Sequence, residues 1–551
     1  MSGSQGPGKR RYDVARSAPR ATEASGHPGA WLIALLALAL LMRLGWAWSD
    51  LVTLLRYATS DDAFYYFQIA RNWVAGNGAS LDGSTATNGF HPLWLALLAG
   101  LQALTSDAEL ALRLGLSLGA LLGAASVALL YRVVERLTHS PQAALFAAAF
   151  HAVHPTAITE SVNGLETALA VFTTAWVTDR YLSLTDAASP QDRRAAILFG
   201  LAGGALMLAR TDAVFLWAAV LAGLVMASRG LKSAFIAGLV SSACLLPWLA
   251  WNLFEFGSVV QVSAVALPEL LRSDFIAAHG DDLSALLARS RFMLQRTFAA
   301  DLPHLYAVPR GLPVWPVAAA GLAALVAALR APAARMALKR LLPPLLGVAF
   351  TLLWHAGVRW WTREWYFAPA GWLCTAGLGV CAAGLLAQAR ALSPARQPAA
   401  IVGLAAIGGA MLLGLAAPPL AERWRVASEH RVQQLEAARW LATRTAPDAR
   451  IGAFNAGIYS YFSGRTVVNL DGVVNADAYA ARRSDRLLDY AVTARLDHVV
   501  DWRGTLPMLG CSERDDVHCE RIAVIGEPLP GFAGSPIWVM RLEVGPTPAR
   551  Q

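Results

Sequence analysis

Charge is what this chain has least of. Only 15% of its 551 residues are Asp, Glu, Lys or Arg, 56% are hydrophobic, and the mean hydropathy is +0.43. Soluble domains carry about 25% charged residues, so this composition excludes an ordinary soluble protein and describes an integral membrane one. Five cysteines are too few for a disulfide framework. Cys244, Cys374 and Cys381 sit inside apolar runs and read as small hydrophobes, whereas Cys511 and Cys519 lie in a polar C-terminal stretch that could carry a disulfide outside the cytoplasm. A Walker loop, a dinucleotide fingerprint behind a strand, zinc-finger spacing and a GxSxG elbow are all missing. The net charge of +8 would fit nucleic acid, but Lys and Arg fall in small groups between apolar segments and form no single basic face. Nucleic acid is therefore not an expected partner.

What the chain has in quantity is apolar runs. A helix crossing the hydrocarbon needs about 20 largely apolar residues. About eleven stretches approach that length, at 31–48, 111–131, 142–158, 165–182, 195–209, 213–228, 233–250, 313–329, 341–358, 366–387 and 399–416. Residues 1–29 are polar and lack periodicity, which predicts a disordered cytoplasmic tail. A long polar leader with no small-residue cleavage site makes the first span an uncleaved anchor. Basic residues precede the first span (Lys9 to Arg20) and recur at every second connection, at Arg132 and Arg136, Arg193 and Arg194, Arg229 and Lys232, Arg330 to Arg340, and Arg390 with Arg396. The positive-inside rule then puts the N-terminus in the cytoplasm and, with an odd number of spans, the C-terminal region outside.

Four connections share that outer side: residues 50–110, the turn from Glu160 to Glu166, residues 251–312, and the turn around Arg363. In the first, DAFYYFQIARNWVAG and HPLWLALLAGLQALT are too short or too amphipathic to span. They read as interfacial helices with Tyr65, Tyr66, Trp73 and Trp94 at headgroup depth. From about residue 418 the composition becomes that of a soluble domain. EHRVQQLEAARWLATR predicts a helix with Leu435, Ala438 and Leu441 on its apolar face, followed by strands at 451–454, 466–470 and 522–525. The expected fold is a polytopic helical domain over 30–417 and a small extracytoplasmic α/β domain over 418–551.

Chemistry concentrates in SDDAFYYFQIARNWVAGNGASLDGSTATNGFHPLW, residues 60–94. An acidic pair just past a membrane span marks a functional site by default. The order of signals resembles the GT-C superfamily of membrane glycosyltransferases, which includes protein O-mannosyltransferases, the lipid A aminoarabinose transferase and arabinofuranosyltransferases. The resemblance rests on Asp61 and Asp62 in the first outer loop, NGFHPLW closing it, NGLETAL at 163–169, LARTDAVF at 208–215, PWLAWNLFEFGS at 247–258 and REWYFAP at 363–369. Each element falls at an outer-face position.

The resemblance implies transfer of a sugar from a polyprenyl phosphate to an acceptor hydroxyl on a cell-envelope glycan, lipid or protein at the outer face of the membrane, and the Ala-, Gly- and Arg-rich composition points to a bacterial plasma membrane. Asp61 then corresponds to the catalytic carboxylate, which takes the acceptor proton. Asp62 would orient it, position the acceptor or share a divalent cation, Mg or Mn; relatives differ in metal use, and that point stays open. Glu166 matches the second acidic position. Arg363, Arg210 and His91 are candidate contacts to the donor phosphate, and Tyr65, Asn88 and Tyr366 to its lipid or sugar. Each has a plainer reading. Asp61 and Asp62 could cap a helix, Glu166 could answer a helix dipole, Arg210 could pair with Asp212, and Arg363 could anchor at the headgroups.

Residues 251–312, with Asp274, His279, Asp281 and Asp282, are expected to form a lid-like loop; a metal site at His279 fits no motif with defined ligand geometry. Tyr459, Tyr461 and Asp471 fit either carbohydrate contact or domain packing. Two other functions remain in view. A transporter or lipid flippase would carry polar residues at mid-span and related broken-helix halves, and a non-catalytic assembly subunit would have lost its acidic residues.

Overall fold

The computed structural model describes residues 28–186, 192–227, 230–416, 427–511, 514, 516–532 and 534–545. The expected tail at 1–27 lies outside the described residues. The first helix is α1 (Pro28–Ala47), followed by α2 (Leu51–Tyr57), α3 (Asp61–Val74) and α4 (Pro92–Gln102). The bundle continues with α5 (Ala108–Thr138), α6 (Pro141–Val153), α7 (Pro155–Ser161), α8 (Thr167–Asp186), α9 (Arg193–Ala209), α10 (Val214–Met226) and α11 (Leu231–Phe256). It is completed by α12 (Val262–His279), α13 (Leu283–Arg296), α14 (Leu302–Tyr306), α15 (Val314–Ala328), α16 (Pro332–Leu353), α17 (Ala368–Arg390) and α18 (Gln397–Ala416).

Each of the eleven expected spans falls on one of these helices. By length and composition, six helices among the described residues can cross a membrane, namely α1, α5, α11, α16, α17 and α18. Others are shorter: α6 and α10 have 13 residues each and α15 has 15. Proline explains one boundary. Pro155 has no N–H to continue the ladder and forces His154 out of the helical region, to φ −64° and ψ 120°, so the expected 142–158 span breaks into α6 and α7. A core of small and branched residues from α5, α6, α8, α9, α10, α16 and α17 fills the bundle.

Two expectations are corrected. Residues 251–312 form no open loop, because VSAVALPELLRSDFIAAH and LSALLARSRFMLQR carry enough helix formers to make α12 and α13. Tyr65, Tyr66 and Trp94 are buried in protein and do not present their rings to lipid headgroups, whereas Trp73 is exposed. The reason is what lies above them.

The C-terminal region packs directly on the first outer loop. It consists of α19 (Glu429–Arg444), β1 (Arg450–Ala453), α20 (Gly457–Phe462), β2 (Thr466–Asn469), α21 (Ala476–Arg483), α22 (Leu487–Thr493), β3 (His498–Trp502), β4 (Val517–Ile525) and β5 (Ile537–Val544). The sheet order is β2-β1-β3-β5-β4, parallel through β2, β1 and β3 and antiparallel beyond. Leu435, Ala438 and Leu441 are buried, and Cys511 is bonded to Cys519. One hydrophobic core runs from Phe64, Phe67 and Leu95 into Leu435, Ile451, Tyr459, Tyr461 and Val539. The Tyr461 ring lies 5.5 Å from Phe64 and 5.9 Å from Phe67. Each such buried ring contributes on the order of 2 kcal/mol, so outer loop and C-terminal region are held as one body.

Candidate active site

Helix α3 starts at this seam. Ser60 is its N-cap in extended conformation, and Asp61 and Asp62 follow in the first turn, where negative charge meets the positive helix end. Asp61 does not cap its own helix. Its Oδ1 accepts the Ile458 N–H at 2.7 Å from across the seam, and its Oδ2 is buried without a partner. Burial and the neighbouring Asp62 push its pKa up to about 7, against the opposing hydrogen bond from Ile458. Burial also raises the Asp62 carboxyl, while the nearby guanidiniums of Arg363 and Arg431 pull it down.

Arg363 is exposed, and its guanidinium rests over the Trp361 ring at 4.2 Å. Arg431, from α19, donates to Thr59 O at 3.3 Å and Leu55 O at 3.5 Å, just before α3. Glu160 lies in the same field, hydrogen-bonded by Asn163 Nδ2 at 2.8 Å, with its pKa raised by burial to about 8. The Glu364 carboxylate adds to that rise, and the Arg431 guanidinium opposes it. Among the described residues no ion pair joins Asp61, Asp62, Glu160 or Glu364 to Arg363 or Arg431.

A second cluster lies alongside, where α8 begins and α9 ends. Glu166, 3% exposed, accepts from Tyr66 OH at 2.9 Å and Arg210 Nη1 at 2.7 Å. Arg210 also grips Asp212 through Nε at 3.0 Å and Nη2 at 2.6 Å, and stacks 4.5 Å from the Tyr366 ring centroid. His355 Nε2 lies 2.8 Å from Asp212 Oδ2, and its ring is 4.6 Å from Tyr366. His91 Nε2 is 3.6 Å from Glu166, and burial lowers its pKa while the Glu166 carboxylate opposes that shift. Arg210 has the geometry of an ion pair between two carboxylates. The 3₁₀ turn Glu364–Phe367 positions Tyr366 under Arg210 and leaves Arg363 outside the cluster.

Two proposed donor contacts serve as structural ties. Tyr65 OH accepts from Ala456 N at 3.1 Å and lies 3.3 Å from Asn469 Nδ2. Asn88 donates to Asn252 at 3.0 Å and accepts from Val262 N at 3.0 Å, fixing the loop to α11 and α12. Tyr459 is fully buried and Tyr461 is 3% exposed in the shared core. Burial raises Asp471 to about 7. Among the described residues no group of three or more His, Cys, Asp or Glu side chains is arranged to hold a metal ion. The sequence reading missed Arg431 and Ile458, since nothing local marks either, and Tyr66, which it took for a headgroup anchor.

The chain has the fold of the polytopic GT-C membrane proteins. Residues 90–251 match the family model for dolichyl-phosphate-mannose-protein mannosyltransferase, and residues 423–524 match a domain of unknown function. In structure the chain is similar to ArnT from Cupriavidus metallidurans bound to undecaprenyl phosphate. That match has 14% identity and a TM-score of 0.56, over 93% of this chain and 98% of the other. It is also similar to the Archaeoglobus fulgidus oligosaccharyltransferase in its apo form, at 13% identity and a TM-score of 0.56, over 86% of this chain and 70% of that one. No curated protein matches it in sequence.

Proposed function

We propose that this protein is a glycosyltransferase that moves a sugar from a polyprenyl-phosphate donor to a hydroxyl of a cell-envelope glycan, lipid or protein. The reaction takes place at the outer face of the bacterial plasma membrane, with the N-terminus cytoplasmic and the C-terminal region outside. One observation carries the reading: Asp61 Oδ2 is buried, unpartnered and attached to a carboxyl whose pKa lies at about 7. A general base works best when its pKa is near the operating pH. In the proposed step Asp61 Oδ2 takes the acceptor proton while the acceptor oxygen bonds to the anomeric carbon. The bond from that carbon to the phosphate oxygen breaks, and its electron pair leaves with the phosphate.

Asp62 and Glu160 line the acceptor side. Arg363, with no carboxylate ion-pair partner among the described residues, faces the departing phosphate, where a guanidinium fork stabilises the growing charge. Arg210, Glu166 and His91 form the supporting wall. A divalent cation, Mg or Mn, would find two carboxylates in Asp61 and Asp62 and would need donor phosphate to complete its shell.

The test is mass spectrometry of lipid-linked sugars and envelope glycans in cells carrying Asp61→Asn. The variant should insert normally, accumulate unused donor lipid and lose the product glycan. Unchanged glycan would remove Asp61 from the reaction.

A further inference from the structure

The candidate base is held from outside the membrane domain. Thr59 O, two residues before Asp61, is held by Arg431 of α19, and the Asp61 carboxylate is held by the Ile458 N–H of α20. These contacts span 372 and 397 residues of sequence. Ser428 N donates to Arg56 O at 2.7 Å, and Arg56 Nε pairs with Glu429 at 2.6 Å, so the lead-in to α3 is gripped along its length. The approach is close. A Cβ added to Gly457 would stand 2.1 Å from Asp61 O, so only glycine lets α20 come this near.

We infer that the C-terminal region is the positioning half of the active site, holding Asp61 through the Ile458 N–H and the α3 lead-in through Arg431 so that Asp61 Oδ2 faces the acceptor. The inference rests on the glycosyltransferase reading, but the contact itself can be tested without it. Ile458 lies in the first turn of α20, where backbone N–H groups have no partner within the helix. Its protection from solvent exchange therefore depends on Asp61. Reciprocally, the order of the α2–α3 connection depends on Arg431. An Asp61 gripped at Oδ1 has a single orientation for accepting a proton, and a misplaced base lowers the chemical step more than it lowers binding.

Hydrogen–deuterium exchange with mass spectrometry on the full chain in detergent reads the contact directly. Asp61→Ala should speed exchange in 455–460 about tenfold, the weight of one hydrogen bond to a charged group, and Asp62→Ala should not. Arg431→Gln should speed exchange in 57–62, and Arg431→Lys should recover part of the loss. Unchanged exchange in both segments overturns the inference, whatever the protein's activity.

Transfer assays on membranes with their own lipid-linked donors read the consequence. Arg431→Gln should lower kcat with donor KM unchanged, and Arg431→Lys should restore part of it. A change in KM alone would assign Arg431 to donor binding and overturn its positioning role. Absence of transfer by the unaltered protein would sink the glycosyltransferase reading, while the exchange result would still decide the contact.

Discussion

Two groups of charge share one end of this bundle and differ in how they are satisfied. Around Glu166, Arg210 is bonded to two carboxylates, Asp212 has a second partner in His355, and Tyr66 closes the remaining side. Around Asp61, acids and guanidiniums line one space without forming an ion pair among the described residues, and Asp61 Oδ2 has no partner. Burying a charge is costly unless it is paired. The first group meets that requirement internally. The second leaves it unmet, which is the usual mark of a place where substrate supplies the missing partner.

Exchanging carboxylates for amides sharpens this contrast most. Asp61→Asn should lower sugar transfer by about 10²- to 10⁴-fold, the range for loss of a general base, with folding intact. Glu166→Gln should do the reverse in kind. It leaves Arg210 with one carboxylate where it had two, and breaking a buried pair costs about 3–5 kcal/mol, so a clear fall in melting temperature is expected. Equal loss of stability in both variants would erase the distinction between the groups.

Smaller effects follow on the phosphate side. Arg363→Ala should weaken binding of undecaprenyl phosphate by about tenfold, and Arg363→Lys should recover only part because the planar fork is lost. Arg210→Lys should instead show its defect in thermal stability. Equal affinity in all the Arg363 proteins, measured by calorimetry, would remove that residue from the site.

Proton linkage separates the groups again. With Asp61 raised from 3.8 to about 7, transfer should climb as pH rises through about 7 and then level. The sign for stability is opposite. A carboxyl raised on folding favours the fold fully below 3.8, and that contribution is lost as pH rises through about 7. Asp61→Asn should therefore melt higher than the parent at pH 8 and differ little at pH 4. The smallest effect is expected from chelation. A cation held by Asp61 and Asp62 needs the donor phosphate as a further ligand, so EDTA should reduce donor affinity and leave the melting temperature unchanged.

The legible part of the molecule was its periodic part. Each of the eleven apolar runs coincides with helix, the 142–158 run being divided between α6 and α7, and strand-like patterning located β1, β2 and the end of β4. HVVDW and IWVMRLEV went unread as strands, although both carry the β-branched and aromatic residues that strands favour. Asp61, Asp62 and Glu166 could be singled out because acids beside membrane spans are rare. Arg210 could not be sorted by sequence into phosphate ligand or ion pair, because that depends on where Asp212 and Glu166 point.

By itself the sequence determined that the chain enters a membrane, where its apolar helices run and which acids lie beside them, since hydropathy and local spacing are properties of neighbours along the chain. Only the tertiary structure decided which of those charges are satisfied. Arg431 and Ile458 come to Asp61 from nearly 400 residues away, held there by a core shared between outer loop and C-terminal region. A partner supplied across such a distance leaves no local pattern, because hydrogen bonds and fields act through space and not along the chain.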